Sequence, residues 1–379
     1  MGVVCPGTLL KHFESLPDPR KKRNRKHLLV DVIVIAVCGV IVGCEGPTSI
    51  RQWSQEKEDW LREFLELPNG LPSRDCLRRV LSLLKPEAFS ECFGSWVAEC
   101  LSSDSTGRLI AIDGKTLRRS HDRRAGLGPL HVVSAWASEQ GLSLGQQATE
   151  AKSNEITAIP ELLDRIDVLN AVVTIDAMGC QKEIARKIIT GGGDYVLAVK
   201  GNQKKLHTAL ADYFEQVHET DFVDSKCLSR KTKEKGHGRV EHRYYYQAPL
   251  PKSLRTFVPD WKGLKTIGQV ISITWRDGKE CSDVRYFISS LKPSVQRFSL
   301  AVRGHWAIEN SLHWVLDVTF NEDQSRARNR RLADNLASLR RMAIGLLKQH
   351  PSKASIKSKK RMAGWNNNFL AQVLALQRT

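Results

Sequence analysis

The sequence predicts an α/β fold: a mixed sheet flanked by helices, interrupted by a β-rich insertion and preceded by a helical N-terminal domain. Three observations predict it. Residues 1–105 carry helical spacing with little alternation. From residue 106, apolar β-branched runs alternate with helical stretches. After a segment rich in strand patterns, the chain returns to helices near residue 294. At 379 residues the chain exceeds one simple core, so several domains are expected. With 41% apolar and 26% charged residues it is globular rather than disordered.

The N-terminal part opens with a short apolar segment, Leu9 to Phe13, and a turn at Asp18-Pro19-Arg20 that leads into the basic stretch Arg20–His27. The apolar run Leu28–Cys44 follows this stretch, a layout that resembles a leader or anchor. However, the run has 17 residues, carries Asp31 and two glycines, and lacks a cleavage pattern. Spanning a bilayer takes about 20 apolar residues, so a buried helix is expected. Helical patterns over 48–66 and 74–101 are separated by the loop Pro68-Asn-Gly-Leu-Pro72, and no helix-turn-helix signature is present.

Strand patterns then cover Arg108–Asp113, His131–Trp136 and Leu142–Ala148. A helix opened by Ser153 and Asn154 places Ile156, Ile159, Leu162, Leu163 and Ile166 on one face. Strand 171–176, helix 181–190, the stop Gly191-Gly-Gly193 and strand Tyr195–Val199 complete the order βββαβαβ. With acids ending strands one and four, this order describes an RNase H-like layer of sheet and helices. The segment 200–285 breaks it, with the charged stretch Lys231–Lys235 and strands at 239–246, 266–275 and 284–289. Helices follow at 294–316 and 332–348, and the basic tail 351–379 reads as a loosely held end. The expected divisions are thus a helical domain (1–105), a first core segment (106–205), an insertion (206–285), a second core segment (286–350) and the tail (351–379).

A formal charge of +17 and a pI near 9.6 favour a polyanionic partner, most often nucleic acid, with a ribosome or membrane surface as the competing reading. Nine scattered cysteines (5, 38, 44, 76, 92, 100, 180, 227 and 281) form no C-x-x-C pair and no metal-ligand spacing with histidine. They read as reduced thiols of a cytoplasmic protein.

The chemistry rests on three carboxylates. Leu109-Ile-Ala-Ile-Asp113 and Val172-Val-Thr-Ile-Asp176 each end an apolar strand in an acid, and Glu309 sits in a helical pattern, Trp306-Ala-Ile-Glu309. Two strand-borne aspartates and a helix-borne glutamate supply the oxygen ligands that paired Mg²⁺ ions prefer. His305, His313 and Asp317 stand at i−4, i+4 and i+8 from Glu309, forming one polar stripe, while Trp306, Leu312 and Leu316 suit a buried side. Taken alone, Asp113 could equally be a strand-ending turn residue, and Glu309 could simply pair with Arg303.

The strings Ala111-Ile-Asp-Gly-Lys-Thr-Leu-Arg118, Lys152-Ser-Asn-Glu-Ile156, Thr174-Ile-Asp-Ala-Met-Gly-Cys-Gln181, Asp194-Tyr-Val-Leu-Ala-Val-Lys-Gly-Asn-Gln203 and His305-Trp-Ala-Ile-Glu-Asn-Ser-Leu-His-Trp-Val-Leu-Asp317 resemble bacterial insertion-sequence transposases of the DDE class, in the branch of the H-repeat-associated proteins. Asp18-Pro-Arg20 and Pro72-Ser-Arg-Asp-Cys76 resemble the domain that accompanies them. The resemblance implies an RNase H-like core with a β-rich insertion before the glutamate. It also implies catalytic, metal-binding Asp113, Asp176 and Glu309, with Mg²⁺ as cofactor and Mn²⁺ as substitute. One departure stands out: where related enzymes carry arginine and lysine around the glutamate, this chain has His305 and Leu316. The implied partners are double-stranded DNA, both element ends and target, and a second copy of the chain in the DNA complex, within the cytoplasm at the nucleoid. Basic residues expected on the DNA path are Lys115, Arg118, Arg119, Lys200, Lys204, Lys205, Arg303, His305, Arg326 and Arg328. Rival expectations are an RNase H-like nuclease without strand transfer and a non-catalytic DNA-binding remnant.

Overall fold

The computed structural model describes residues 9–101, 107–149, 155–223, 225–236, 239–276 and 279–374. The first helices are α1 (Leu9–Glu14), α2 (Leu29–Val42), α3 (Pro47–Glu56), α4 (Glu58–Leu61), α5 (Arg74–Leu83) and α6 (Pro86–Cys100). The expected βββαβαβ order follows as β1 (Leu109–Leu117), β2 (Leu130–Ala137), β3 (Leu142–Thr149), α7 (Glu155–Leu163), β4 (Val172–Ile175), α8 (Lys182–Thr190) and β5 (Asp194–Val199). Next come α9 (Lys204–Glu219), β6 (Leu228–Gly236), β7 (Arg239–Pro249), β8 (Thr266–Arg276), β9 (Lys279–Ser289) and α10 (Val295–His305). A π-turn at Glu309–His313 leads into α11 (Trp314–Val318), α12 (Arg330–Gln349), α13 (Ile356–Trp365) and α14 (Asn367–Val373). The fold is a mixed sheet flanked by helices, with the βββαβαβ order expected of an RNase H-like layer. The described residues form two compact units, one drawn from 9–101, 114–149 and 308–374, the other from 107–113 and 155–307. The chain passes between them inside β1, after Asp113.

In the first unit α2 is apolar on every side, and Asp31 to Ile41 are all buried, as such a helix requires. Its single acid is accommodated because Asp31 accepts the backbone N–H of Leu67 at 3.0 Å; burial still raises its pKa. Helix α12 packs against α2, α5, α6 and β3 and buries every residue from Leu332 to Leu347. Its Asn335 amide donates to the carbonyls of Leu81 and Leu84, which occupies two orphan acceptors at the end of α5. Strands run in the order β3-β2-β1, with β2 and β3 antiparallel and a bulge between Ala135 and Trp136.

The second unit orders its strands β1-β4-β5-β9-β8-β7-β6. The first three are parallel, β9 joins β5 antiparallel, and β6 to β9 pair antiparallel in chain order. Helix α10 covers this sheet: Phe298, Ala301 and Val302 pack with Leu109, Val172, Val196 and Phe287. Two glycines permit that contact. A Cβ on Gly268 would lie 2.3 Å from the Phe298 ring, and one on Gly304 would lie 1.8 Å from Leu109 Cδ2.

Several elements depart from the expectations. The patterns at 48–66 and 74–101 each break in two; in the second, Pro86 opens a new helix at its N1 position. Helix α9 is present within the supposed β-rich insertion, on a narrow stripe of Leu206, Leu210, Phe214 and Val217. Strand β6 has almost no buried residues and is held by pairing to β7, with Lys231 over the Tyr244 ring and Glu234 against Arg243. The tail is not loose through residue 374. Ser355 and Asn366 cap α13 and α14, and Ala363, Phe369, Leu370 and Val373 are buried. The leading residues 152–154 of the α7 motif, including the expected caps Ser153 and Asn154, lie outside the described residues. Among the described residues no single helix is long and apolar enough to cross a membrane.

The Gly304–Leu109 approach sets how closely α10 lies on β1. Gly304→Ala should cost about 1–3 kcal/mol by overpacking, and Leu109→Val in the same chain should recover part of it. Urea unfolding of the single and double variants measures both.

Candidate active site

Strands β1 and β4 pair in parallel with Leu109 opposite Val172 and Ile112 opposite Ile175. Asp113 and Asp176 are the next residues on each, so the two acids follow the same rung of the ladder, and both are half-buried. Asp176 leaves β4 into a tight turn, in which its Oδ1 accepts the backbone N–H groups of Met178 at 3.0 Å and Gly179 at 3.3 Å. Gly179 is required there because a Cβ would lie 2.2 Å from Ile175 Cγ2. The loop after β5 fastens the same turn: Asn202 donates to the carbonyl of Ala177 at 2.7 Å and Gln203 to that of Cys180 at 3.0 Å. These two amides belong to the Asp194–Gln203 string, whose spacing alone gave no hint of their targets. One Thr174 hydroxyl, beneath Asp176, lies 3.2 Å from His305 Nδ1.

Glu309 opens the π-turn and is exposed. Such turns add a residue to the helical ladder and often occur at functional sites. Its Oε2 accepts from His313 Nδ1 at 3.1 Å, a bond that places the proton on that nitrogen. This hydrogen bond, against the opposing effect of burial, lowers the Glu309 pKa, and Lys115 acts in the same direction. The stripe read from the sequence therefore separates into three partnerships: His305 with Thr174, Glu309 with His313, and Asp317 with Lys115. Leu312 and Leu316 are buried as expected, whereas Trp306 is 44% exposed, with the Arg285 guanidinium 4.6 Å from its ring centre. Arg303 pairs in bidentate fashion with Glu234.

Lys115, expected to meet phosphate, has a different setting. Its side chain is 8% exposed, and its ammonium lies 2.7 Å from Asp317, 2.9 Å from Asp323 and 3.9 Å from Glu322. Glu322 is fully buried and takes Arg341 at 3.0 Å, whose Nε donates to Ser134 on β2. Burial raises the Asp317 pKa, the neighbouring carboxylates of Asp323 and Glu322 add to this, and Lys115 opposes it. Lys115 thus fastens the second half of β1 to the segment Asp317–Asp323 within the first unit. The sequence signal for this cluster was the acidic pair Glu322-Asp323 inside a basic region.

The remaining basic residues are placed as follows. Lys200, Lys204 and Lys205 are exposed around the start of α9. Arg118 is exposed and contacts Asp323 at 3.1 Å. Arg119, Arg326 and Arg328 line one cavity together with Arg123 and Arg124, two arginines the sequence reading passed over.

Lys115→Met should destabilise the chain by less than the roughly 3–5 kcal/mol of a fully buried pair, because Asp317 is 36% exposed; equilibrium unfolding measures the loss. His313→Gln should move the Glu309 carboxyl titration upward, toward the ordinary glutamate range. Carbon-detected NMR titration reads that shift directly.

Residues 104–346 match the family model described as "Transposase DDE domain", and residues 10–97 match "DDE_Tnp_1-associated". The "H repeat-associated putative transposase YhhI" of Escherichia coli (strain K12) is 41% identical over 374 residues, which cover 97% of each chain. The "Putative transposase YncI" of Escherichia coli O157:H7 is 41% identical over 97% of this chain and 94% of its own. A solved piggyBac transposase synaptic complex with hairpin DNA aligns over 97% of this chain and 80% of its own, at 11% identity and a TM-score of 0.42. By the family model and the curated relatives the chain belongs to the transposase DDE domain family.

Proposed function

We propose that this chain is a DNA transposase, in which Asp113, Asp176 and Glu309 hold divalent metal for phosphodiester cleavage at element ends and strand transfer into target DNA. The observation that carries the reading is the β1–β4 register, which sends two carboxylates out from the same rung. Neighbouring carboxylates repel one another when ionised and favour a cation between them. Their hard oxygen donors suit Mg²⁺, with Mn²⁺ as the substitute. Bound there, the metal would stabilise charge on the phosphoryl oxygens and acidify the attacking water.

The residues themselves do the positioning. The Asp176 carboxylate is oriented by the two backbone N–H groups of its turn. Glu309 is kept as an acceptor by the His313 hydrogen bond, which disfavours its protonated form. In the first step, water forms a bond to phosphorus and the 3′-oxygen leaves, taking a proton to become a hydroxyl. In the second, that hydroxyl attacks a phosphorus of target DNA and displaces a target oxygen. No covalent link between protein and DNA is needed.

Asp113→Asn and Asp176→Asn should reduce Mg²⁺-dependent cleavage of an element-end duplex to background, as should chelation of the metal, while duplex binding persists. Retained cleavage by Asp113→Asn would overturn the assignment. Joining of pre-cleaved 3′ ends to a target plasmid separates a transposase from a simple nuclease.

A further inference from the structure

The first unit contains a cavity of about 350 Å³ lined by Arg119, His121, Arg123, Arg124, Arg326 and Arg328. Its walls come from the connection between β1 and β2 and from the segment that precedes α12. Five of the six lining residues are arginines, and no carboxylate joins them. Among the described residues, none of the five forms an ion pair with an acid. The nearby acids are engaged elsewhere: Asp122 accepts the backbone N–H groups of Arg124 and Ala125, and Asp323 serves Lys115 and Arg118.

The walls are built rather than incidental. Asp122 and Leu127 close the first wall with a pair of backbone hydrogen bonds at 3.0 and 2.9 Å. Ser120 accepts the Leu130 N–H at 2.7 Å, which fixes the return of the loop into β2. Arg330 donates to the carbonyl of Gly128 at 2.6 Å and so fastens the second wall to the first. These bonds fix the backbone of the walls, and the five lining arginines are exposed on them. Like charges gathered round one opening repel, and an anion there removes that cost.

We infer that this cavity is a binding station for consecutive phosphates of a nucleic-acid backbone, built from residues other than the three carboxylates. Five positive charges exceed what one phosphodiester neutralises, so at least two phosphates are accommodated. The planar guanidinium fork matches phosphate oxygens in bidentate fashion. The lining holds no carboxylate or amide side chain to read base edges, so the station reads phosphate spacing and not sequence. A free polyphosphate shares this chemistry, and the test separates the two sources. The inference rests on the proposed function only for the choice of DNA as ligand.

The test uses the full chain in metal-free buffer with a fluorescent duplex of arbitrary sequence, titrated across a salt series. Arg123→Ala/Arg124→Ala and Arg326→Ala/Arg328→Ala should each weaken binding and flatten the plot of log affinity against log salt by about 0.9 per lost contact. Arg186→Ala, which removes an exposed arginine paired with Glu183, should leave both unchanged. Tripolyphosphate should compete with the duplex for the wild-type chain and lose that effect in the two double variants. Wild-type slope and affinity in both double variants would overturn the inference, as would tripolyphosphate binding that no duplex displaces. Because cleavage is not measured, a failure here differs from a failure of the catalytic reading, which shows as duplex binding intact and Asp113-dependent cleavage absent.

Discussion

The parallel pairing of β1 with β4 is the constraint on which the site depends. Parallel strands need a crossover, and here the connection runs through β2, β3 and α7 before β4 is laid beside β1. Residues 63 positions apart are thereby brought to adjacent rungs, as 176 minus 113 gives. A register slip of one residue would carry one acid to the opposite face of the sheet. The apolar residues Ile110, Ile112, Val173 and Ile175, each at most 3% exposed, oppose such a slip because each would have to repack on the opposite face, which is buried as well.

Around this pairing the chain invests in buried charge. Lys115, Glu322 and Arg341 sit in a region where desolvation is costly, and such clusters are seldom a net source of stability compared with apolar packing. What they supply is directionality. A hydrophobic contact tolerates sliding, whereas ammonium and guanidinium groups facing Asp317, Asp323 and Glu322 accept few arrangements. The turn after Asp176 achieves the same end with neutral groups, through Asn202 and Gln203. The two solutions differ because one neighbourhood presents carboxylates and the other presents backbone carbonyls.

The alternation of apolar strands and helical stripes made the RNase H-like order legible, since burial imposes those periods on the sequence. The two acids were legible for the same reason, since an ionisable residue interrupts each apolar run. However, β1 does not end at Asp113 as expected and continues to Leu117, whereas Asp176 lies just past β4. Elements held by other forces were not. Strand β6 depends on a partner strand and on cross-strand charge pairs, which leave no period of two in its own residues. The role of Lys115 was hidden because its acids lie more than 200 residues away in sequence. The π-turn at Glu309 was invisible because its widened ladder keeps ordinary helical spacing on either side.

The last described helices carry a practical lesson. Lys359 of α13 is buried and donates to the carbonyls of Leu347 and His350, the final turn of α12. The end of the longest helix is therefore closed by a side chain arriving from beyond it. A recombinant version stopped near residue 350 would leave those acceptors to water and uncover the apolar flank that Phe369 and Leu370 protect. A stop codon in an engineered version placed before Leu374 would cut into this closure.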